Sequence, residues 1–344
     1  MTCGGELEPK ASRLLDAVLR QHPETAKARA KQWILAGRVS INGVVVRKPH
    51  QPVKENDSIQ LGSRHLTTLD CGSGWQIHPR VSLLYLDAFL AVVNKGPGLI
   101  SVPATDAPLS ALSILADFLA GDLKPRDRSV AGKSLPPAYR RLQPLPVHRL
   151  DQYTSGVFCM ATNPTARHHL SEQLKAHTMK REYVAYVEGR LATAEGTWRQ
   201  WLQLSRDELR QHVVSPTAAR GGAREGREAI THFKAIAEYS LACGSRFVTK
   251  IRLQLETGRK HQIRVQAANA GVPLIGDRTY NPAWRTAGAT DAPIDFPRQA
   301  LHAEVLTLEH PDQPGVRMSW TAELPKDLRQ LEAALRSGHL PDRV

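Results

Sequence analysis

One short stretch of the sequence, PVHRLDQYTSG at residues 146–156, combines residue types that can do chemistry. Asp151 follows an apolar residue, stands two positions after Arg149, and comes shortly before a Thr-Ser-Gly turn. A carboxylate beside a cation is either a structural ion pair or a nucleophile that is kept ionised until a substrate arrives. These residues alone leave both interpretations open, so the rest of the chain has to separate them.

Several other catalytic patterns are missing from the sequence. It has no His-Glu-x-x-His motif, and His168 and His169 are adjacent, so a helix cannot turn both toward one metal ion. It has no Gly-x4-Gly-Lys-Ser/Thr loop, and Ser155 lies in Thr-Ser-Gly rather than in Gly-x-Ser-x-Gly. We therefore expect no metal, no organic cofactor and no serine-hydrolase chemistry.

The composition favours a nucleic-acid partner. The 344 residues include 46 Lys and Arg against 33 Asp and Glu, a formal net charge of +13. Such a surplus favours polyanions, because each phosphate that the protein neutralises releases condensed counterions. The four cysteines lie far apart, and no apolar run is long enough to cross a membrane. We expect a cytoplasmic monomer with no membrane partner.

A compact N-terminal unit is expected at residues 12–62. Two helices are followed by VSINGVVV, in which Asn42-Gly43 supplies a hairpin turn. Residues 10–60 carry ten Lys and Arg against four Asp and Glu, a net charge of +6 (10 − 4). The residues predicted to contact RNA here are Lys27, Arg29, Lys31 and Arg38. A solvated helix face is the alternative, but charge of one sign favours docking to nucleic acid.

Four further segments complete the expected organisation. Residues 63–79 are rich in glycine and serine and indicate a linker. Strands and helices mix irregularly over residues 80–330, which favours an α+β domain on a mixed sheet over a doubly wound fold. Within that domain, residues 121–146 carry five prolines and are expected to form a surface insertion. Residues 331–344 are expected to form a C-terminal tail.

The order of several sequence blocks places the Asp151 motif in a known family. HRLDQYTSG resembles the signature of the RluA family of pseudouridine synthases. The other blocks follow the family's order: FLAVVNKGPGLISVPA, REYVAYVEG, GREAITHFKAI, LETGRKHQIRV, GVPLIGDRTY and ALHAEVLTLEHP. The N-terminal unit resembles an S4 RNA-binding domain through RLLDAVL, KARAKQWILAGRVSINGVVV and VKENDSIQL. The resemblance implies a small α/β S4 domain followed by a largely antiparallel catalytic sheet with a central cleft.

The resemblance also implies a reaction, the isomerisation of a uridine in structured RNA to pseudouridine. In this family the base flips out, its bond to ribose C1′ is cleaved, and the uracil is rejoined through C5. Asp151 matches the carboxylate that acts on the ribose, either as a covalent adduct or through a glycal. Arg264 matches its basic partner, and Tyr183 matches the aromatic residue on the uracil. Ile263 matches an apolar contact to the flipped base, and Arg149 matches the residue that fills the gap left in the RNA.

Other functions stay open at this point. A non-catalytic RNA-binding or ribosome-assembly factor would use the same scaffold, but it has little reason to keep Asp151, Tyr183 and Arg264 together. A nucleoside glycosidase would need similar sugar chemistry, but it leaves the S4-like unit unexplained. The favoured substrate is large-subunit ribosomal RNA, by analogy with other S4-containing members. Transfer RNA is the alternative.

Overall fold

The structure, a computed structural model, divides into two units, Met1–Thr68 and Leu69–Val344. It describes residues 12–35, 38–42, 44–46, 48–54, 56–61, 69–105, 107, 109–122, 135, 137–207, 209–221, 225–241, 246–284 and 292–338. No helix in these ranges is long and apolar enough to span a membrane.

The N-terminal unit consists of two helices and five short strands in its described residues. They are β1 Ser12–Arg13, α1 Leu14–Gln21, α2 Lys27–Leu35, β2 Val39–Ile41, β3 Val44–Val46, β4 Pro52–Val53 and β5 Ile59–Leu61. β1 pairs with β4, and β2 lies between β3 and β5. Asn42 has a left-handed φ of 53° between β2 and β3, so the predicted hairpin is confirmed. Leu14, Val18 and Ile34 of the two helices are buried in one core with Val39 of the sheet.

The C-terminal unit is built on one large sheet, with twelve strands in the described residues. The strands are β6 Leu69–His78, β7 Val81–Leu86, β8 Leu90–Lys95, β9 Leu145–Pro146, β10 Ser155–Ala161, β11 Lys180–Glu188, β12 Glu195–Leu204, β13 Gln211–Val214, β14 Arg227–Ser240, β15 Phe247–Leu255, β16 Leu301–Glu309 and β17 Arg317–Thr321. The helices are α3 Ala111–Ala120, α4 Pro164–Lys175, α5 Pro216–Gly221, α6 Gln262–Asn269 and α7 Lys326–Arg336.

The sheet is mixed and largely antiparallel, as the sequence predicts. Its main path runs β13-β12-β14-β15-β11-β16-β10-β8-β7-β6, while β9 pairs with β10 and β17 pairs with β16. Among the described strands, β10 with β16 is the one parallel pair. The buried clusters of this unit include one with Leu84, Val157 and Leu170 and another with Tyr186 and Leu331.

The parallel pair at the centre of the sheet sets the position of the Asp151 loop. Gly156 of β10 pairs with Ala303 of β16, and Ala303 also pairs with Tyr183 of β11. Gly156 has a φ of 119°, and a Cβ there would overlap the Ala303 carbonyl oxygen, so only glycine fits. The loop before β10 and Tyr183 are therefore held at the same level of the sheet.

Two predicted boundaries are wrong. Residues 69–78, assigned to the linker 63–79, form β6, which pairs with β7 despite its glycines because two register shifts absorb them. The C-terminal tail predicted at 331–344 begins inside α7, where Leu331 and Leu335 are buried in the core of the C-terminal unit. Residues 62–68 and 339–344 lie outside the described residues.

The predicted insertion at 121–146 is also partly wrong. Residues 123–134 and 136 lie outside the described residues. Residues Pro137–Arg141 form a 3-10 helix in which Tyr139 is fully buried, and β9 pairs with β10. The last ten residues of this segment are therefore part of the folded unit rather than a surface loop.

Candidate active site

A cleft of about 570 Å³ opens beside the centre of the sheet. It is lined by the loop before β10, by strand β11 with the end of α4, and by the turn from β15 into α6. Every residue that the sequence predicts for the catalytic site lines this cleft: Arg149, Asp151, Tyr183, Ile263 and Arg264. Asp151 and Ile263, which are 112 positions apart in the sequence, thus meet at one site.

Arg264 has two carboxylate neighbours, and the nearer one is not the predicted partner. Its Nη1 lies 3.6 Å from Oδ2 of Asp151. Its Nε and Nη2 donate to Asp277 Oδ2 and Oδ1 at 2.7 and 2.8 Å. Burial opposes the charge of Arg264, but the hydrogen bonds and charge of Asp277 outweigh burial and raise its pKa. Asp151 is thus near a fixed cation without being tied to it.

Asp277 is a site residue that sequence reasoning missed. It lies in the block GVPLIGDRTY, where Oδ1 also accepts from the backbone N–H groups of Thr279 and Tyr280 at 3.0 and 3.1 Å. Its side chain is 1 % exposed. An aspartate after a glycine is typical of a turn. The sequence therefore gives no sign that Asp277 also binds an arginine.

His261 and Tyr280 support the other side of Arg264. The Tyr280 hydroxyl is hydrogen-bonded to Nδ1 of His261 at 2.9 Å and accepts from the Gln211 backbone N–H at 2.8 Å. The guanidinium of Arg264 lies 5.1 Å above the Tyr280 ring. Burial lowers the pKa of His261 to about 4, so the imidazole is neutral at physiological pH. A neutral His261 adds no charge to the cleft.

The backbone on both sides of Asp151 is clamped by side chains from distant segments. Ser101 Oγ donates to the Leu150 carbonyl and accepts from the Leu150 N–H, both at 2.9 Å. Lys95 Nζ, fully buried, donates to the carbonyl of Gln152 at 3.1 Å and to two carbonyls of its own loop. Burial lowers the pKa of Lys95 to about 7. These contacts fix the loop from residues 150 to 152.

Arg298 extends this clamp to the C-terminal helix. Its Nη1 donates to the Tyr153 carbonyl at 3.1 Å, while Nε donates to Oδ2 of Asp327 at 2.6 Å. Asp327 stands in the first turn of α7. The helix that the sequence leaves partly in a tail therefore braces the loop that carries Asp151.

Tyr183 and Ile263 supply the apolar part of the cleft. Both are buried, with 6 % and 4 % of their surface exposed. Burial raises the pKa of Tyr183, the positive charge of Arg181 lowers it, and Asp151 raises it again. The phenol is therefore protonated at physiological pH. Arg149 is exposed at the rim of the cleft.

The basic residues predicted on the N-terminal unit lie along α2 and just after it. Lys27, Arg29 and Lys31 are exposed, and Arg38 is half-buried. The guanidinium groups of Arg29 and Arg38 lie 6.0 and 5.2 Å from the centre of the Trp33 ring. The described part of the chain contains no group of three or more His, Cys, Asp or Glu side chains that could hold a metal ion.

These features define a class of protein. Six Lys and Arg line the cleft against one carboxylate, which suits a polyanionic substrate such as RNA. A carboxylate beside a sugar can stabilise an oxocarbenium-like transition state, and a buried aromatic ring suits a flipped base. The arrangement is that of an enzyme that modifies a nucleotide within RNA.

Comparison with known proteins makes the assignment specific. Residues 90–269 match the family model of RNA pseudouridylate synthases, and residues 12–59 match the S4 domain. A protein of Xylella fastidiosa called ribosomal large subunit pseudouridine synthase D is 35 % identical over 95 % of this chain and 90 % of its own. The Yersinia pestis protein of the same name is 31 % identical over 94 % and 91 %. The chain belongs to the RluA family of RNA pseudouridine synthases.

Proposed function

We propose that the protein isomerises uridine to pseudouridine in large-subunit ribosomal RNA, with Asp151 acting on the ribose C1′. The observation that carries the mechanism is that Asp151 is the one carboxylate among the described residues lining a strongly basic cleft. The names of the relatives, which span nearly the whole chain, support the choice of RNA. The monomeric state and the cytoplasmic location stay predictions.

The geometry around Asp151 supports a direct role for its carboxylate. Its side chain is 19 % exposed, so a substrate can reach it, and Nη1 of Arg264 lies 3.6 Å from its Oδ2. Because the hydrogen bonds of Arg264 go to Asp277, the oxygens of Asp151 are left to face the sugar. The clamped backbone holds the carboxylate in one place while the base leaves and turns.

Tyr183 and Ile263 fit the role of holding the uracil between bond cleavage and bond formation. Both are buried beside Asp151, and water excluded by such a pocket cannot capture the sugar cation. Since burial raises the pKa of Tyr183, we propose that its protonated phenol contacts the uracil rather than acting as a strong base. Arg149, exposed at the rim, is placed to enter the RNA stack.

The proposed function is tested by mapping pseudouridine in total RNA from cells with and without the gene. We expect specific large-subunit ribosomal positions to lose pseudouridine in its absence, and purified protein to restore them in RNA from the deletion strain. Loss confined to transfer RNA would correct the substrate. No loss at any position, together with no turnover in vitro, would favour the non-catalytic RNA-binding factor.

Deleting residues 1–68 should weaken RNA binding more than it slows chemistry. The deletion removes the basic unit but no residue of the cleft. Since phosphate contacts set both affinity and its salt dependence, the full-length protein should show the steeper fall of log K with log salt. Binding is measured by titration at several salt concentrations, and the rate at saturating RNA.

As a control, the truncated protein should show a cooperative melting transition, which establishes that it is folded. Equal salt slopes for the two proteins would mean that Lys27, Arg29 and Lys31 only face solvent. A folded truncation that stays slow at saturating RNA would show that the N-terminal unit positions the target uridine and does not merely tether the RNA.

A further inference from the structure

Arg181 is a buried cation in the cleft that no predicted role uses. Only 7 % of its surface is exposed, and it stands two residues before Tyr183 on β11. Its Nη2 donates to the backbone carbonyl of Glu256 at 3.2 Å. Its buried Nε has no acceptor, and it forms no ion pair with a carboxylate of the described residues.

The other buried arginines of the protein show how unusual this is. Two more buried arginines lie among the described residues, Arg264 and Arg298. Each has a carboxylate bound through two nitrogens, Asp277 for Arg264 and Asp327 for Arg298. A buried charge is costly unless it is paired, so Arg181 lacks the partner that this fold supplies elsewhere.

The unpaired guanidinium lies close to Gly258 and the Glu256 carbonyl. A Cβ at position 258 would lie 2.5 Å from Nη1 of Arg181, so Gly258 leaves room that any side chain would fill. The Glu256 carbonyl, which accepts from Arg181, also accepts from Nδ1 of His177 at 2.7 Å. Both Arg181 and Gly258 line the cleft that contains Asp151. The guanidinium is therefore fixed in place without being neutralised.

RNA carries anions of the kind that Arg181 lacks as a partner. RNA brings one anion per nucleotide, the phosphodiester, whose oxygens match the planar guanidinium fork. The remaining cations that line the cleft are on the same surface: Arg149, Lys175, Arg259, Lys260 and Arg264. A carboxylate ligand is excluded by the substrate class, since uridine in RNA carries none.

We propose that Arg181 binds a phosphodiester next to the target uridine and so holds the backbone while base and ribose react. The proposal rests on the proposed function and adds a ligand contact to the same cleft. During the reaction the uracil is detached from its sugar, so the backbone has to be fixed separately from the base. Arg181 binds the phosphodiester, and Asp151 carries out the chemistry.

The test uses the RNA fragment that carries the mapped uridine, with one phosphate at a time replaced by a neutral methylphosphonate. The replaced positions are the phosphates on the 5′ and the 3′ side of that uridine. With wild-type protein, one of the two should lower kcat/KM about tenfold to a hundredfold, the effect of losing a charge-assisted hydrogen bond. The other phosphate should matter much less.

The variant Arg181→Gln should have a kcat/KM on natural RNA that is lower than that of the wild type by a similar factor. Replacing the sensitive phosphate with methylphosphonate should then lower the kcat/KM of this variant only a little further. Such non-additivity is the mark of a direct contact between the two altered groups. Arg181→Lys should recover part of the loss because it restores the charge without the fork. Arg252→Gln, an exposed arginine on β15 outside the cleft lining, is the matched control and should behave as wild type.

Several outcomes would overturn the assignment. If the active wild type tolerates both methylphosphonates, no phosphate contact exists, and this result does not depend on any variant folding. If Arg181→Gln loses the same factor on every RNA and shifts the pH profile of kcat, Arg181 acts instead by adjusting the pKa of Tyr183. If the wild type makes no pseudouridine at all, the proposed function is wrong and this contact falls with it.

Discussion

Replacing Asp151 with asparagine should abolish pseudouridine formation while the protein stays folded and binds RNA. Asparagine has nearly the same shape, but it carries no charge to stabilise the sugar cation and is a poor nucleophile toward C1′. The measurement is single-turnover formation of pseudouridine at saturating RNA. Residual activity within about tenfold of wild type, a barrier change near 1.4 kcal/mol, would remove Asp151 from the mechanism.

The structure explains why this variant should remain stable. Arg264 is neutralised by Asp277 through two short hydrogen bonds, so it stays paired when the Asp151 charge at 3.6 Å is lost. RNA affinity should be equal or slightly higher, since the change removes a negative charge from a basic cleft. Asp117→Asn, at an exposed position of α3, is the matched control and should keep full activity.

The sequence predicts the residues of the cleft better than their partners. Asp151, Tyr183 and Arg264 lie in ordered blocks that resemble one family, so their proximity follows from the resemblance. Ser101 and Lys95 lie in one of those blocks, but their contacts to the Asp151 loop cross more than 45 residues of chain. Such contacts depend on how the strands are ordered in the sheet, which a single sequence does not contain.

The wrong boundaries have local physical causes. Residues 69–78 contain Gly72 and Gly74, which read as linker, yet both take positive φ at an irregularity where β6 and β7 change register. In α7, Leu328, Leu331 and Leu335 repeat at helical spacing, and this pattern was available in the sequence. The predicted tail begins at residue 331, in the middle of this pattern, so the expected domain end divides α7.

Asp277→Asn should cause the largest loss of stability among single changes at the site. The buried Arg264 would keep its charge and lose the carboxylate that binds it through two nitrogens, and breaking a buried pair in this way costs about 3–5 kcal/mol. The measurement is urea unfolding, with a lower midpoint at unchanged slope. Asp295→Asn is the matched control, because its pair with Arg278 in the same segment is exposed and should contribute less than about 1 kcal/mol.

The same variant should also lose activity, for a reason that separates positioning from stability. Without Asp277, the nearest carboxylate to Arg264 is Asp151, so the guanidinium is expected to move toward it and occupy the oxygens that face the ribose. A misplacement of a catalytic group by about 1 Å lowers the rate about a hundredfold. Pairing the change with Arg264→Met should restore stability, because it removes the charge that Asp277 neutralised, but should not restore turnover. If the free energy of unfolding of Asp277→Asn lies within about 0.5 kcal/mol of the wild-type value, Arg264 is held by something other than Asp277.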